Sequence, residues 1–181
     1  ELYTDASIVE CVDEANRGFI IKGNEVIFSP YASINSATKE NAVSTRLTAD
    51  TWHTITLVLA VKATDTYYGS KMFNHEMTGD SVAILYVDGV ISGIVSGGQT
   101  KWYSENTNND RFITLFGKYD FTNKLVSNYA KGEIMHVRLY NSALTDNQIL
   151  NNYIASVHNL DNQNLLKTFN DFNKDYSSIK I

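Results

Sequence analysis

Cysteine is almost missing from this sequence: Cys11 stands alone among 181 residues, so no intrachain disulfide can form. The compartment is then reducing, or the domain holds together without staples, and Cys11 itself is expected as a small buried hydrophobe. Long apolar runs are missing too. No stretch approaches the roughly 18 consecutive apolar residues that a membrane-spanning helix needs, so no such span is expected. The chain opens at Glu1 without Met or a visible signal peptide, and it is expected to be a piece of something larger. Charge of one sign never accumulates: the net charge is −5 with acids and bases scattered. That argues against the Lys/Arg clusters that grip phosphate backbones and excludes nucleic acid as a partner. The four histidines, His53, His75, His136 and His158, lack metal-ligand spacing. No Ser or Cys stands in a nucleophile elbow. No catalytic residue is assigned, and the chain is not expected to be an enzyme.

What the sequence does hold is material for a core. Hydrophobic residues make up 43% and aromatic residues 12% of the 181, enough for one packed domain. Alternation with period two is the prevailing pattern. Residues 54–61 place Ile55, Leu57, Leu59 and Val61 on one face of a strand and smaller residues on the other. Two apolar runs flank Gly23-Asn24, and residues 82–87 run into Asp88-Gly89, a pair suited to the positive φ angles of a tight hairpin. Further strands are expected at 111–116 and 134–140. Short strands with polar turns, and no alternation of strand with helix, point to an antiparallel sandwich.

Near the end the period changes within KGEIMHVRLYNSALTDNQILNNY, residues 131–153. Met135, Val137 and Leu139 face one way and Ile134, His136, Arg138 and Tyr140 the other, which predicts a strand with one apolar face. Thr145 followed by Gln148 is a capping-box pattern, with Asp146 placed to favour the helix dipole. Ile149, Tyr153 and Val157 then recur at helical spacing, so a short helix packed on a sheet is predicted. Leu165, Leu166, Phe169 and Phe172 suggest one or two more amphipathic turns. The expected division is a domain over 1–158 and a tail over 159–181 that is helical or completes the domain.

Four motifs in order carry a family resemblance over roughly 51–153. Thr51-Trp52-His53-Thr54-Ile55-Thr56-Leu57-Val58 resembles the "W-H" strand of laminin-G-like, concanavalin A-like jelly-roll domains. Leu85-Tyr86-Val87-Asp88-Gly89 resembles their "L-Y-V-D-G" hairpin, Leu115-Phe116-Gly117 their "h-h-G" strand, and 132–144 their "G-x-I-x-x-V-R-I-Y-N-x-A-L" segment ahead of a helix. The resemblance implies an all-β fold: a two-sheet antiparallel jelly-roll sandwich with a short helix in the C-terminal region.

Most of the matched residues are scaffold. Asp88-Gly89 shapes a turn, Trp52 is expected in the core, and Arg138 and Tyr140 border a sheet or pair with neighbours. Where the family usually carries an acidic pair, sometimes near a structural calcium, this sequence has Met135 and His136, which do not suit a hard cation. No metal ligand is carried over and no cofactor is expected. A calcium site elsewhere stays open at the oxygen-rich Asn106-Thr107-Asn108-Asn109-Asp110, for which a solvated turn is the plainer reading. Some sandwiches of this architecture hydrolyse glycans with an "E-x-D-x-E" carboxylate set, which is absent here. Glu10 and Asp13, the nearest approach, fall on opposite faces of any strand.

Binding is what remains. Residues 64–75 and 99–106 interrupt strong strands at a length unusual for hairpin loops, and both carry aromatics that a sheet core does not need. Tyr67, Tyr68, Trp102 and Tyr103 are the candidate ligand-binding residues, because sugar C–H faces lie against such rings while nearby Asn, Asp and Gln serve the hydroxyls. The expectation is a carbohydrate-binding or adhesive module, extracellular or on a cell surface, that engages a glycan and sits beside neighbouring domains. The alternative is a structural or interaction domain of a surface layer, fibre or virion, marked by a contiguous exposed apolar patch.

Overall fold

The computed structural model describes residues 7–13, 15–61, 81–97, 113–127 and 129–159. Ten strands lie among them: β1 Val9–Val12, β2 Gly18–Lys22, β3 Glu25–Ser29, β4 Val43–Arg46, β5 Ile55–Val61, β6 Ser81–Val87, β7 Val90–Gly97, β8 Thr114–Leu115, β9 Lys118–Asp120 and β10 Leu125–Ser127. Among the described residues one α-helix, α1, spans 146–159, and a short 3-10 turn spans Ile34–Ser36. The strands form a five-stranded sheet in the order β4-β3-β2-β1-β8, a three-stranded sheet β5-β6-β7, and the β9-β10 hairpin. Every ladder is antiparallel.

Alternation in the sequence decides how these pieces stack. Ala83 and Leu85 of β6 join Val26 and Phe28 of β3, Val43 of β4 and Val95 of β7 in one buried cluster, with Ile55, Leu57 and Leu59 against its edge. The two larger sheets therefore pack face to face, with Ile55, Leu57 and Leu59 turned toward that core as their spacing predicts. The intervening residues Val82, Ile84 and Tyr86 of β6 and Val58 and Ala60 of β5 form a second cluster with Ile149 of α1, bordered by Ala143 and Leu144. A strand covered on both faces reads as a continuous apolar run, which is why β6 is Ser-Val-Ala-Ile-Leu-Tyr-Val and not an alternating sequence. Half-buried Cys11 packs at the edge of the inter-sheet cluster.

The turns obey their residue chemistry. Gly23 has φ 57, and Asp88 and Gly89 have φ 53 and 77, the left-handed pair that a two-residue hairpin requires. At the head of α1, Thr145 Oγ1 accepts from the Gln148 N–H at 3.3 Å and Gln148 Oε1 accepts from the Thr145 N–H at 2.8 Å. This is the reciprocal capping box that the sequence predicts.

Several expectations are corrected. Residues 131–140 form no strand among the described residues: Ile134 and Met135 are half-buried, but Val137 is exposed and Leu139 is 77% exposed. Alternation supplies two faces but no partner backbone. Here the segment is tied to α1 instead, with Ser156 Oγ 3.3 Å from His136 Nε2 and Asn152 Nδ2 donating to Tyr140 Oη at 3.1 Å. Trp52 is 44% exposed and precedes β5, so it is not in the core. On α1 the buried positions are Ile149 and Ser156, while Val157 faces outward. Helical rotation of about 100° per residue accounts for this, since eight positions from 149 overshoot the sheet-facing line and seven do not. The strand expected over 111–116 is described only as Thr114–Leu115.

Candidate functional site

Tyr67, Tyr68, Trp102 and Tyr103 lie outside the described residues, as do residues 106–110 and 160–181. What the structure does describe is where the aromatic-bearing stretches are anchored. Stretch 62–80 leaves β5 at Val61 and returns at Ser81, and stretch 98–112 leaves β7 at Gly97. Val61 pairs with Ser81, and Ser81 pairs with Gly97, across the three-stranded sheet. All three anchor points thus share one end of that sheet.

Tyr31, which sequence reasoning did not single out, also reaches this end. Its Oη lies 2.9 Å from Ser81 Oγ. A Cβ on Gly97 would sit 2.6 Å from the Tyr31 ring, so glycine there lets the ring lie flat on the sheet end. Burial raises the Tyr31 pKa above the ordinary phenol value, against the smaller pull of the Ser81 and Gly97 hydrogen bonds. The signal for it was available only as the long chain separation between Tyr31 and Ser81, which no local pattern encodes.

The opposite end of the sheet is built around Asp88. Its Oδ1 accepts from the Thr54 N–H at 2.9 Å and its Oδ2 meets His53 Nδ1 at 2.8 Å. The other ring nitrogen, Nε2, lies 3.2 Å from both the Thr48 N and the Thr48 O. The "W-H" and "D-G" positions therefore brace β5 against the β6–β7 turn, and only Trp52 presents a free ring. Among the described residues no three His, Cys, Asp or Glu side chains converge as metal ligands.

A third region lies beside β1 and has two unusual properties. The first is exposed apolar surface. Leu125 is 65% and Tyr129 69% exposed, and Leu115 and Val126 are exposed as well. Val126 and Tyr129 converge on Gly117, where an added Cβ would meet Val126 Cγ1 at 2.6 Å and Tyr129 Cδ1 at 3.6 Å. Together with Val137 and Leu139 these side chains form an apolar series along 113–140. The second property is a buried acid. Glu10 is 2% exposed; Ser7 Oγ donates to its Oε2 at 3.0 Å, and its Oε1 has no hydrogen-bond partner. Loss of solvent raises its pKa above the ordinary glutamate value, offset in part by the Ser7 hydrogen bond and the Lys118 charge. Glu10 and Asp13 do not act as a pair, because Asp13 is engaged by Arg17 at 2.7 Å.

No family model matches this sequence, and no curated protein matches it. Among solved structures, the chain is similar to an S-layer domain-containing protein (residues 221–444) from Clostridium thermocellum ATCC 27405. The likeness has 14% identity and a TM-score of 0.37, and it covers 82% of this chain and 64% of that chain. The chain thus spans less than two thirds of that structure.

Proposed function

We propose that this chain is a non-catalytic module of a larger extracellular or cell-surface protein, and that its work is to pack against protein neighbours. The observation that carries this is the apolar series Leu115, Leu125, Val126, Tyr129, Val137 and Leu139, exposed along 113–140. Apolar side chains scattered singly are ordinary on a surface, whereas side chains that group, as Val126 and Tyr129 do at Gly117, are what a contact face presents. No cofactor or metal enters this function. We further infer that the sandwich is of the laminin-G-like, concanavalin A-like jelly-roll type. In support, the "W-H" stretch runs directly into β5 and the "L-Y-V-D-G" run forms the β6–β7 turn, whereas the "G-x-I" segment lacks the strand its motif predicts.

A second reading, a glycan-binding module, is favoured by one observation. The described residues that flank the stretches carrying Tyr67, Tyr68, Trp102 and Tyr103, namely Val61, Ser81 and Gly97, share one sheet end, to which Tyr31 also reaches. Two measurements on one preparation separate the readings. Sedimentation velocity over a range of concentrations should show association that Leu139→Lys combined with Tyr129→Ser abolishes, while a glycan array stays blank. A chain that remains monomeric, captures a glycan and loses it with Trp102→Ala would transfer the function to the sheet end.

A further inference from the structure

Among the described residues, few attachments hold 113–127 and 129–130 to the five-stranded sheet. β8 is only Thr114–Leu115, paired with Glu10 and Val9. Around it the Phe116 N–H donates to Ile8 O at 2.8 Å, the Ala130 N–H donates to Phe116 O at 3.0 Å, and Ser7 bridges Tyr129 in parallel. Each of these attachments has one end within three residues of Glu10 or of its register partner Thr114. Among the described residues two acids are buried here, and of these Asp13 is paired with Arg17 while Glu10 has no charged partner in contact; Ser7, which bonds the Glu10 carboxyl, is also the residue that meets Tyr129.

We propose that Glu10 is a proton-operated latch, which in its neutral form fastens residues 113–130 to β1 and in its ionised form loosens them. The physical reason is the unpartnered Oε1. A neutral carboxyl tolerates burial with one hydrogen bond, whereas an ionised one needs its remaining oxygen solvated or bonded. Of the two ladders that flank Glu10 among the described residues, the one to β8 has two register pairs and the one to β2 has four, so β8 is the side that lifts most readily to admit water. The groups facing Glu10 do not prevent this. β2 presents Ile20 as its register partner, β8 presents Thr114, and among the described residues Lys118 of β9 is the charge that acts on it. Lys118 is exposed, so its attraction is screened and is reached by moving outward. The inference stands independently of the interaction reading, although in that reading the same proton would govern how firmly the apolar face is presented.

The sign follows from linkage. Because the folded-state pKa is raised, the latch is fully effective below the ordinary glutamate value and is lost as pH rises through the raised value. Amide hydrogen exchange on the full chain reads this directly. After correction for intrinsic exchange, protection at Phe116 and Ala130 should fall by up to about tenfold per pH unit within that window and then level off. Amides of the β2–β3 ladder should hold constant. Glu10→Gln should remove the slope at both positions. The carboxyl 13C titration of wild-type Glu10 needs no variant: a midpoint above the ordinary value is expected, moving higher in Lys118→Gln. A slope that persists in Glu10→Gln, or a wild-type midpoint at or below the ordinary glutamate value, overturns the latch.

Discussion

Adding one methyl group at Gly93 should test whether the two larger sheets are pressed together as described. Gly93 lies in β7 opposite Leu85. A Cβ there would fall well inside contact distance of Val43 Cγ1, while standing 3.6 Å from Val43 Cβ and 3.8 Å from Cγ2. Carbon atoms settle at roughly 3.5–4.0 Å, so the methyl has to displace Val43. Val43 is buried with Val26, Phe28 and Leu85, and its β-branched side chain has few rotamers to retreat into. Overpacking of this kind costs about 1–3 kcal/mol. Val43→Ala alone removes two methyl groups at about 0.8 kcal/mol each and leaves a small cavity, for a loss of roughly 2 kcal/mol. In the double variant the methyl at 93 occupies the space vacated at 43, so the pair should cost about 1–2 kcal/mol less than the sum of the singles. Urea unfolding of the four proteins measures this through their midpoints, provided the slopes agree. Strict additivity, or a harmless Gly93→Ala, would refute the packing of β4 on β7.

Three further outcomes are expected. Thr145→Ala removes the Oγ1 acceptor of the capping box, leaving the Thr145 N–H to Gln148 half in place, and should cost about 1 kcal/mol in urea unfolding, with Thr145→Ser restoring most of it. Tyr86→Phe deletes the 2.6 Å hydrogen bond from Tyr86 Oη to Asp146 Oδ1, which joins the middle sheet to α1. Since the acceptor is charged, about 1.5–3 kcal/mol should be lost by the same measurement, and Asp146→Ala should add little to Tyr86→Phe if this bond is what both support. His136 is held below the ordinary imidazole pKa by partial burial and by the charge of Arg138. Its folded state favours the neutral ring, so its contribution is present above the ordinary value and lost as pH falls through the lowered one. An NMR titration with its midpoint at or above the ordinary value would contradict this environment.

Local chemistry in the sequence was sufficient for the elements whose causes are local. The alternation of Ile55, Leu57 and Leu59 identifies which face of β5 is buried, Asp88-Gly89 specifies a turn that only left-handed φ values close, and Thr145 with Gln148 caps α1. Each follows from residues within a few positions of one another, where side-chain size, backbone preference and hydrogen-bond reach act directly. The tertiary structure decided everything that depends on a distant partner. Residues 134–140 have a strand's alternation but bond to α1 through His136 and Tyr140, since a ladder forms only where another backbone is presented. Trp52 stays outside because β5 begins after it, and Tyr31 reaches Ser81 across fifty positions of chain. Glu10 has a plain sequence context, one acid in Val-Glu-Cys-Val, and is buried where β2, β8 and Ser7 meet it. Desolvation is a property of what surrounds a side chain, and part of the surroundings here, Thr114 of β8, comes from more than a hundred positions away.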